Sequence, residues 1–218
     1  MCLLRIATYL FQGRRHVGVV SEDGLSVQSL PLPDEGRGAL ALVEAAAADV
    51  AMPRPSAPPV ALADVRLEAP LPCLRRNLWC VGRNFHAHAA ELRDSVFKSS
   101  PKSTDQWPIV FTKVPECVIG PDDVVRLPGD SVSAQIDYEA ELAIVIGRGG
   151  KNIAKADALS HVFGWTIVND VTARDVQMRH QQWDMGKSFD PKSGSYPVAG
   201  SAGGGSGGPM TGAIRSLM

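Results

Sequence analysis

No apolar run in this 218-residue chain approaches the roughly 18 to 20 residues needed to cross a bilayer, so a helical membrane span is excluded. An excess of one charge is also missing: 22 Lys and Arg face 23 Asp and Glu, for a net charge of −1. No long-range field therefore draws the chain to nucleic acid or anionic lipid, and any partner must be recognised locally. Cysteine is scarce. Of the four, Cys2, Cys73, Cys80 and Cys117, none forms a CxxC pair, and Cys73 and Cys80 lie seven apart. That spacing suits neither a zinc site nor a compact disulfide framework, and reduced thiols in a cytoplasmic protein are expected. The opening "MCLLRIATYLFQGRRHVGVV" has an apolar patch, but basic residues follow it where a signal peptide would place a small-residue cleavage site. No internal repeat is present.

At 44% hydrophobic and 21% charged, the composition is that of a soluble globular chain of one to two domains. "RIATYLF" and "RHVGVVSEDGLSVQSL" alternate as short strands, with turns at Gly13 and at Asp23-Gly24. Residues 38–52, rich in Ala and Leu and closed by Pro53, predict a helix. The proline-rich "PRPSAPPVALADV" reads as a linker or draped connection. This punctuation predicts a small N-terminal domain over 1–70 and a larger one over 71–190. In the second block, "NLWCVG", "WPIVFTKVP", "VVRLP" and "QIDYEAELAIVIG" read as strands, the last the longest. "NFHAHAAELRDSVF" predicts a helix with Asn84 as N-cap. "KADALSHVFGWTIVND" predicts a helix capped near Asn152 or Lys155 and then a strand ending at Asp170, and "VTARDVQMRHQQW" a helical turn or short helix. Residues 191–218 are rich in Gly and Ser, and a tract such as "GSAGGGSGGP" predicts a flexible tail.

The segment "DYEAELAIVIG" carries Asp137, Glu139 and Glu141 at alternate positions, which a strand points to one face, roughly 6.6 Å per step. Tyr138, Ala140 and Leu142 are expected to pack on the other face. A solvated acidic face is one reading. Two features favour another: "LAIVIG" is typical of a strand buried on both faces, and no Lys or Arg alternates with the acids to relieve their repulsion. Carboxylates alone suit a hard divalent cation, Mg²⁺, Mn²⁺ or Ca²⁺, better than zinc. Asp170, which stops an apolar strand abruptly, is either a helix cap or a third ligand.

His88 and Glu91 are three apart, neighbours on one helical face, the relation needed for general acid–base work or water activation. A surface helix pair would have the same spacing. His86, two residues away, would face elsewhere on a helix. Lys113 in "VFTKVP" and Lys187 in "GKSFD" stand near strand ends or turns, where an isolated lysine is normally solvated.

In order and spacing, "CVGRNFHAHAAE", "PIVFTKVPECVIGPDD", "DYEAELAIVIG", "GWTIVNDVTARDVQ" and "GKSFD" resemble the fumarylacetoacetate hydrolase family over about residues 74–190. The first 24 or so residues resemble the small N-terminal domain that many members carry. The resemblance implies an α+β, mainly β fold: a mixed β-sheet roll with few helices. It implies a divalent cation, usually Mg²⁺, on Glu139, Glu141 and Asp170, and a water-activating pair in His88 and Glu91. Lys187 matches the family's catalytic lysine, and Arg83 and Lys113 match substrate-binding positions; Asn84-Phe85 stands where the family usually has Asn-Tyr. Asp137 is expected outside the metal's direct ligands.

The implied activity is hydrolysis of a carbon–carbon bond in acylpyruvate-type or related 2-oxo and β-diketo acids, with the cation stabilising the departing enolate. An isomerase or decarboxylase acting on 2-oxo acids in aromatic-compound degradation is an alternative. Expected partners are a small 2-oxo acid and, for intact members, a second copy of the chain; no nucleic acid or membrane is expected. After "GKSFD" the family continues with further strands and a late Gly-Asp and Gly-Thr-Pro motif, whereas this chain runs into its Gly-rich end. Missing C-terminal strands are therefore expected, with a further alternative: a truncated, non-catalytic fragment that keeps the metal-site residues.

Overall fold

A computed structural model describes residues 4–82, 84, 108–179, 182–188, 199–201 and 214–216, the last two stretches as backbone. Three strands open the chain: β1 (Leu4–Phe11), β2 (Arg14–Val20) and β3 (Ser26–Ser29). They form an antiparallel meander, since the tight turns between them put sequential strands side by side. Gln12 and Gly13 both take positive φ in the first turn; in the second, Gly24 does so and Asp23 accepts a hydrogen bond from the Leu25 N–H. Helix α1 (Leu40–Ala47) is shorter than the sequence predicts, because the stretch before it tightens into a 3-10 turn at Glu35–Arg37 and Asp49 turns left-handed after it.

The proline-rich connection is extended and ends in β4 (Val60–Ala61), which pairs with β3, and β5 (Arg66–Leu67), which pairs with β1. Next come β6 (Leu78–Gly82) and β7 (Ile109–Lys113), an isolated antiparallel pair, and β8 (Val118–Ile119). The remaining strands are β9 (Ile136–Asp137), β10 (Ala140–Ile146), β11 (Val162–Asp170), β12 (Thr172–Ala173), β13 (Ala199–Ser201) and β14 (Ile214–Ser216). Two short helices, α2 (Arg174–Arg179) and α3 (Asp184–Lys187), follow β12.

One sheet runs β4-β3-β2-β1-β14-β11-β13-β8, with β10 on β11 and β5 on β1. The β13–β8 pairing is parallel and the others antiparallel, so the sheet is mixed, and the fold is mainly β with few helices. Two stretches of the Gly/Ser-rich tail, β13 and β14, thus enter the sheet through backbone pairing, which needs no large side chains. The main apolar cluster joins Ile6, Val17, Leu30, Ala39, Leu42 and Val43 to Phe163 of β11, so the N-terminal block shares a core with the later strands. Among the described residues, no helix is long and apolar enough to cross a membrane.

Three expectations need correction. "VVRLP" forms no strand: it ends in Pro128, which has no N–H to give a ladder, and Val124 and Leu127 are exposed. Residues 155–161 form a 3-10 helix beginning after Ala154, with no side-chain cap at Asn152. The acidic segment is two strands broken at Tyr138–Glu139, and among the described residues β11 is the longest strand. Its faces are also reversed. Tyr138, Leu142, Ile144 and Ile146 are exposed, while Glu139 and Glu141 are partly covered.

Candidate active site

The break in the acidic segment is what aims its carboxylates. β10 pairs with β11 up to Ala140 opposite Asn169, and β9 pairs with β12 at Asp137 opposite Thr172. Between these ladders, Glu139 is held by its backbone: the Asp170 N–H donates to its carbonyl at 2.8 Å, and its own N–H donates to Asn169 Oδ1 at 3.2 Å. Glu139 and Asp170 therefore sit side by side at the interruption.

Lysines from two other elements meet them there. Lys113, the last residue of β7, donates to Asp170 Oδ1 at 2.6 Å and to the Val171 carbonyl at 3.3 Å. Lys187, the last residue of α3, donates to Glu139 Oε1 at 2.6 Å and Asp170 Oδ2 at 2.7 Å. Neither lysine is solvated, as isolated lysines normally are: Lys113 is 1% exposed, Lys187 2% and Asp170 5%. Charges so deeply buried persist only when paired, and here each Asp170 oxygen has its own ammonium.

Helix α3 has only four residues, so its position is set by its surroundings. The Asp184 carboxylate accepts from both the N–H and hydroxyl of Thr112, each at 3.0 Å, which ties α3 to β7. Gly186 lies against the backbone of Gln177, where an added Cβ would come 2.6 Å from the Gln177 nitrogen. Trp183 covers Gly82 and packs on Phe111 with ring centroids 5.4 Å apart, and Lys187 Nζ stands 5.1 Å from the Phe111 centroid.

Arg174, which the sequence reading passed over, completes the cluster. Its guanidinium donates through Nε and Nη2 to Asp137 Oδ2 at 3.0 and 2.8 Å and lies 3.2 Å from Glu139 Oε1. Thr172 adds a 2.6 Å hydroxyl bond to the same Glu139 oxygen. Three carboxylates, of Asp137, Glu139 and Asp170, are thus balanced by Lys113, Lys187 and Arg174. The basic partners absent from the acidic strand come from elements distant in sequence. Asp137 remains 45% exposed and pairs with Arg174. A fourth carboxylate, Glu141, lies nearby: the Cys80 thiol is pushed up to about 11, chiefly by burial, with Asp170 and Glu141 raising it and both lysines opposing.

Among the described residues, no three His, Cys, Asp or Glu side chains are gathered as closely as a metal ion requires. The donor chemistry nevertheless fits a hard cation, since oxygens of Glu139 and Asp170 already converge on one positive charge, the Lys187 ammonium. Arg83, His86, His88 and Glu91, with the helix predicted around them, lie outside the described residues.

The family described as fumarylacetoacetate (FAA) hydrolase C-terminal matches residues 77–200, the stretch that holds every residue of this cluster. The oxaloacetate tautomerase YisK of Bacillus subtilis is 46% identical over 137 residues, 63% of this chain and 43% of that protein. Among solved structures, a fumarylacetoacetate hydrolase from psychrophilic Exiguobacterium antarcticum superposes with a TM-score of 0.66 at 32% identity. That match covers 86% of this chain and 63% of the other. A 5-carboxymethyl-2-hydroxymuconate delta-isomerase from Mycobacterium smegmatis matches with a TM-score of 0.66 at 27% identity, over 98% of this chain and 67% of its own. The chain spans less than half the length of the curated relative and about two thirds of the solved structures. Fold, motif order and the buried carboxylate–lysine cluster together make this chain a member of the fumarylacetoacetate hydrolase family.

Proposed function

We propose that this chain carries the enolising site of an enzyme acting on small 2-oxo acids with a divalent cation, Mg²⁺ or Mn²⁺. The observation that carries the reading is the convergence of Glu139 and Asp170 on one cation position, held by Lys113, Thr172 and Arg174. Glu139, Glu141 and Asp170 would hold the ion, which when bound supplies Lewis-acid polarisation of a 2-oxo group. Lys187 is placed to pair with a substrate carboxylate or developing oxyanion, because its ammonium is buried where no water competes for it. Lys113 orients Asp170 by its 2.6 Å bond to Oδ1, and Arg174, 3.2 Å from Oε1, does the same for Glu139. Similarity to an oxaloacetate tautomerase favours keto–enol interconversion as the reaction.

A second reading, hydrolysis of a carbon–carbon bond in an acylpyruvate, draws on the His88–Glu91 spacing and the similarity to a fumarylacetoacetate hydrolase. There, His88 would take a proton from water, oriented by Glu91, and the resulting hydroxide would attack the distal carbonyl. One experiment tests both: the chain with Glu139→Gln and His88→Ala, assayed with Mg²⁺ for oxaloacetate enolisation by ultraviolet absorbance and for acylpyruvate cleavage. Enolisation lost in Glu139→Gln and kept in His88→Ala supports the first reading; cleavage lost in both supports the second. Equal rates in all three proteins, with or without Mg²⁺, would sink the proposal.

A further inference from the structure

The Lys187 ammonium is bonded to one oxygen each of Glu139 and Asp170, at 2.6 and 2.7 Å, the two carboxylates proposed above to hold a divalent ion. We propose that Lys187 is a tethered competitor for the divalent ion, so that ion loading expels its ammonium from between the carboxylates and turns it toward the substrate. The inference rests on the cation-site reading above and adds an order of events to it.

Glu139 Oε1 already has the Lys187 ammonium at 2.6 Å and the Arg174 guanidinium at 3.2 Å, so a divalent ion arriving at these carboxylates would repel an ammonium that has little charge left to share. Charge balance points the same way. Glu139, Glu141 and Asp170 carry three negative charges, which a divalent ion and Lys113 together neutralise. Lys187 is then surplus, and a buried surplus ammonium needs an anion. A 2-oxo acid supplies one in its carboxylate. The geometry also separates the two lysines. Lys113 is bonded to the other Asp170 oxygen, Oδ1, and to the Val171 carbonyl, partners that an ion on Oδ2 would leave to it. Among the described residues, Lys187 is bonded to Glu139 Oε1 and Asp170 Oδ2, one oxygen from each of two proposed ion ligands, and faces the Phe111 ring. Lys187 also ends its helix and is followed by Ser188, whose hydroxyl accepts from the Val114 N–H at 3.3 Å. Its side chain can therefore swing while the backbone stays anchored.

The test uses the 218-residue chain, with Mn²⁺ as the probe, titrated by calorimetry into wild type, Lys187→Met, Lys187→Gln and Asp170→Asn. Removing a competitor bonded to both carboxylates should tighten Mn²⁺ binding about tenfold or more in the Lys187 variants, even though the lysine belongs to the site. Lys187→Gln retains an amide donor for Glu139, so the comparison survives if the methionine variant fails to fold. In wild type, peptide-mapped acetylation of Lys187 should rise several-fold on adding Mn²⁺, while that of Lys113 stays low. Unchanged or weaker Mn²⁺ binding in both Lys187 variants would overturn the competition, even if Asp170→Asn abolishes binding and so upholds the cation site. Undiminished Mn²⁺ binding in Asp170→Asn would overturn the site itself, and the inference with it.

Discussion

Replacing Lys113 by methionine removes one ammonium from the cluster and keeps the length of the stem. Asp170, 5% exposed, then loses the partner of its Oδ1, and the Val171 carbonyl loses a donor at 3.3 Å. Removing one member of a buried ion pair costs about 3–5 kcal/mol. Asp170 keeps Lys187 on its other oxygen at 2.7 Å, so the lower end of that range, about 3 kcal/mol, is expected. Against a domain margin of roughly 5–15 kcal/mol, this is a large fraction. Urea denaturation followed by tryptophan fluorescence reads it as a lower midpoint at unchanged slope. Arg75→Ala, which removes a surface partner of Glu44, is the control and should leave the midpoint nearly in place. If Lys113→Met unfolds at the same urea concentration as that control, the buried pair does not hold Asp170 and the reasoning fails.

Gly186→Ala would bring a Cβ within 2.6 Å of the Gln177 nitrogen, so α3 must shift, at about 1–3 kcal/mol, carrying Lys187 with it; melting and Mn²⁺ titration should change together. An unaltered melting temperature would show that the helix approach is not tight. Arg174→Ala should cost roughly 1.5–3 kcal/mol in urea denaturation, since two charged acceptors lose their donor; a midpoint equal to wild type would refute the clamp. Burial first, and then the Asp170 carboxylate, push the Cys80 thiol from about 9 up to about 11, so it should resist a thiol reagent at pH 8 while the exposed Cys73 reacts. A raised thiol favours the folded state fully below pH 9, and that contribution is lost as pH rises through 11. Equal labelling of the two cysteines at pH 8 would refute the assignment.

The N-terminal meander was readable from sequence because its determinants are local: alternating strands, and turns at Gly13 and Gly24 that need positive φ. Glu139 and Asp170 were readable too, since an acid at the end of an apolar strand is conspicuous by type alone. Their partners were not. A lysine that will be 1% exposed has the same sequence signature as a solvated one, and Lys113 reaches Asp170 across 57 positions, Lys187 reaches Glu139 across 48. Arg174 lay inside a quoted motif, but its role arises only when β12 returns to pair with β9.

The face reversal in β10 has a related cause. Strand periodicity says which residues share a face and nothing about which face is covered. Apolarity suggested that Leu142, Ile144 and Ile146 would turn inward. On the covered side, Lys187, Thr172 and Arg174 gather at Glu139 just before the strand, and Val145 further along packs against the main apolar cluster. The side with Leu142, Ile144 and Ile146 is the one exposed among the described residues. A strand's covered face can therefore hold a buried ion cluster at one end and apolar contacts at the other. The requirement is that every charge finds its counterpart, which the pairing of Asp137, Glu139 and Asp170 with Arg174, Lys113 and Lys187 meets.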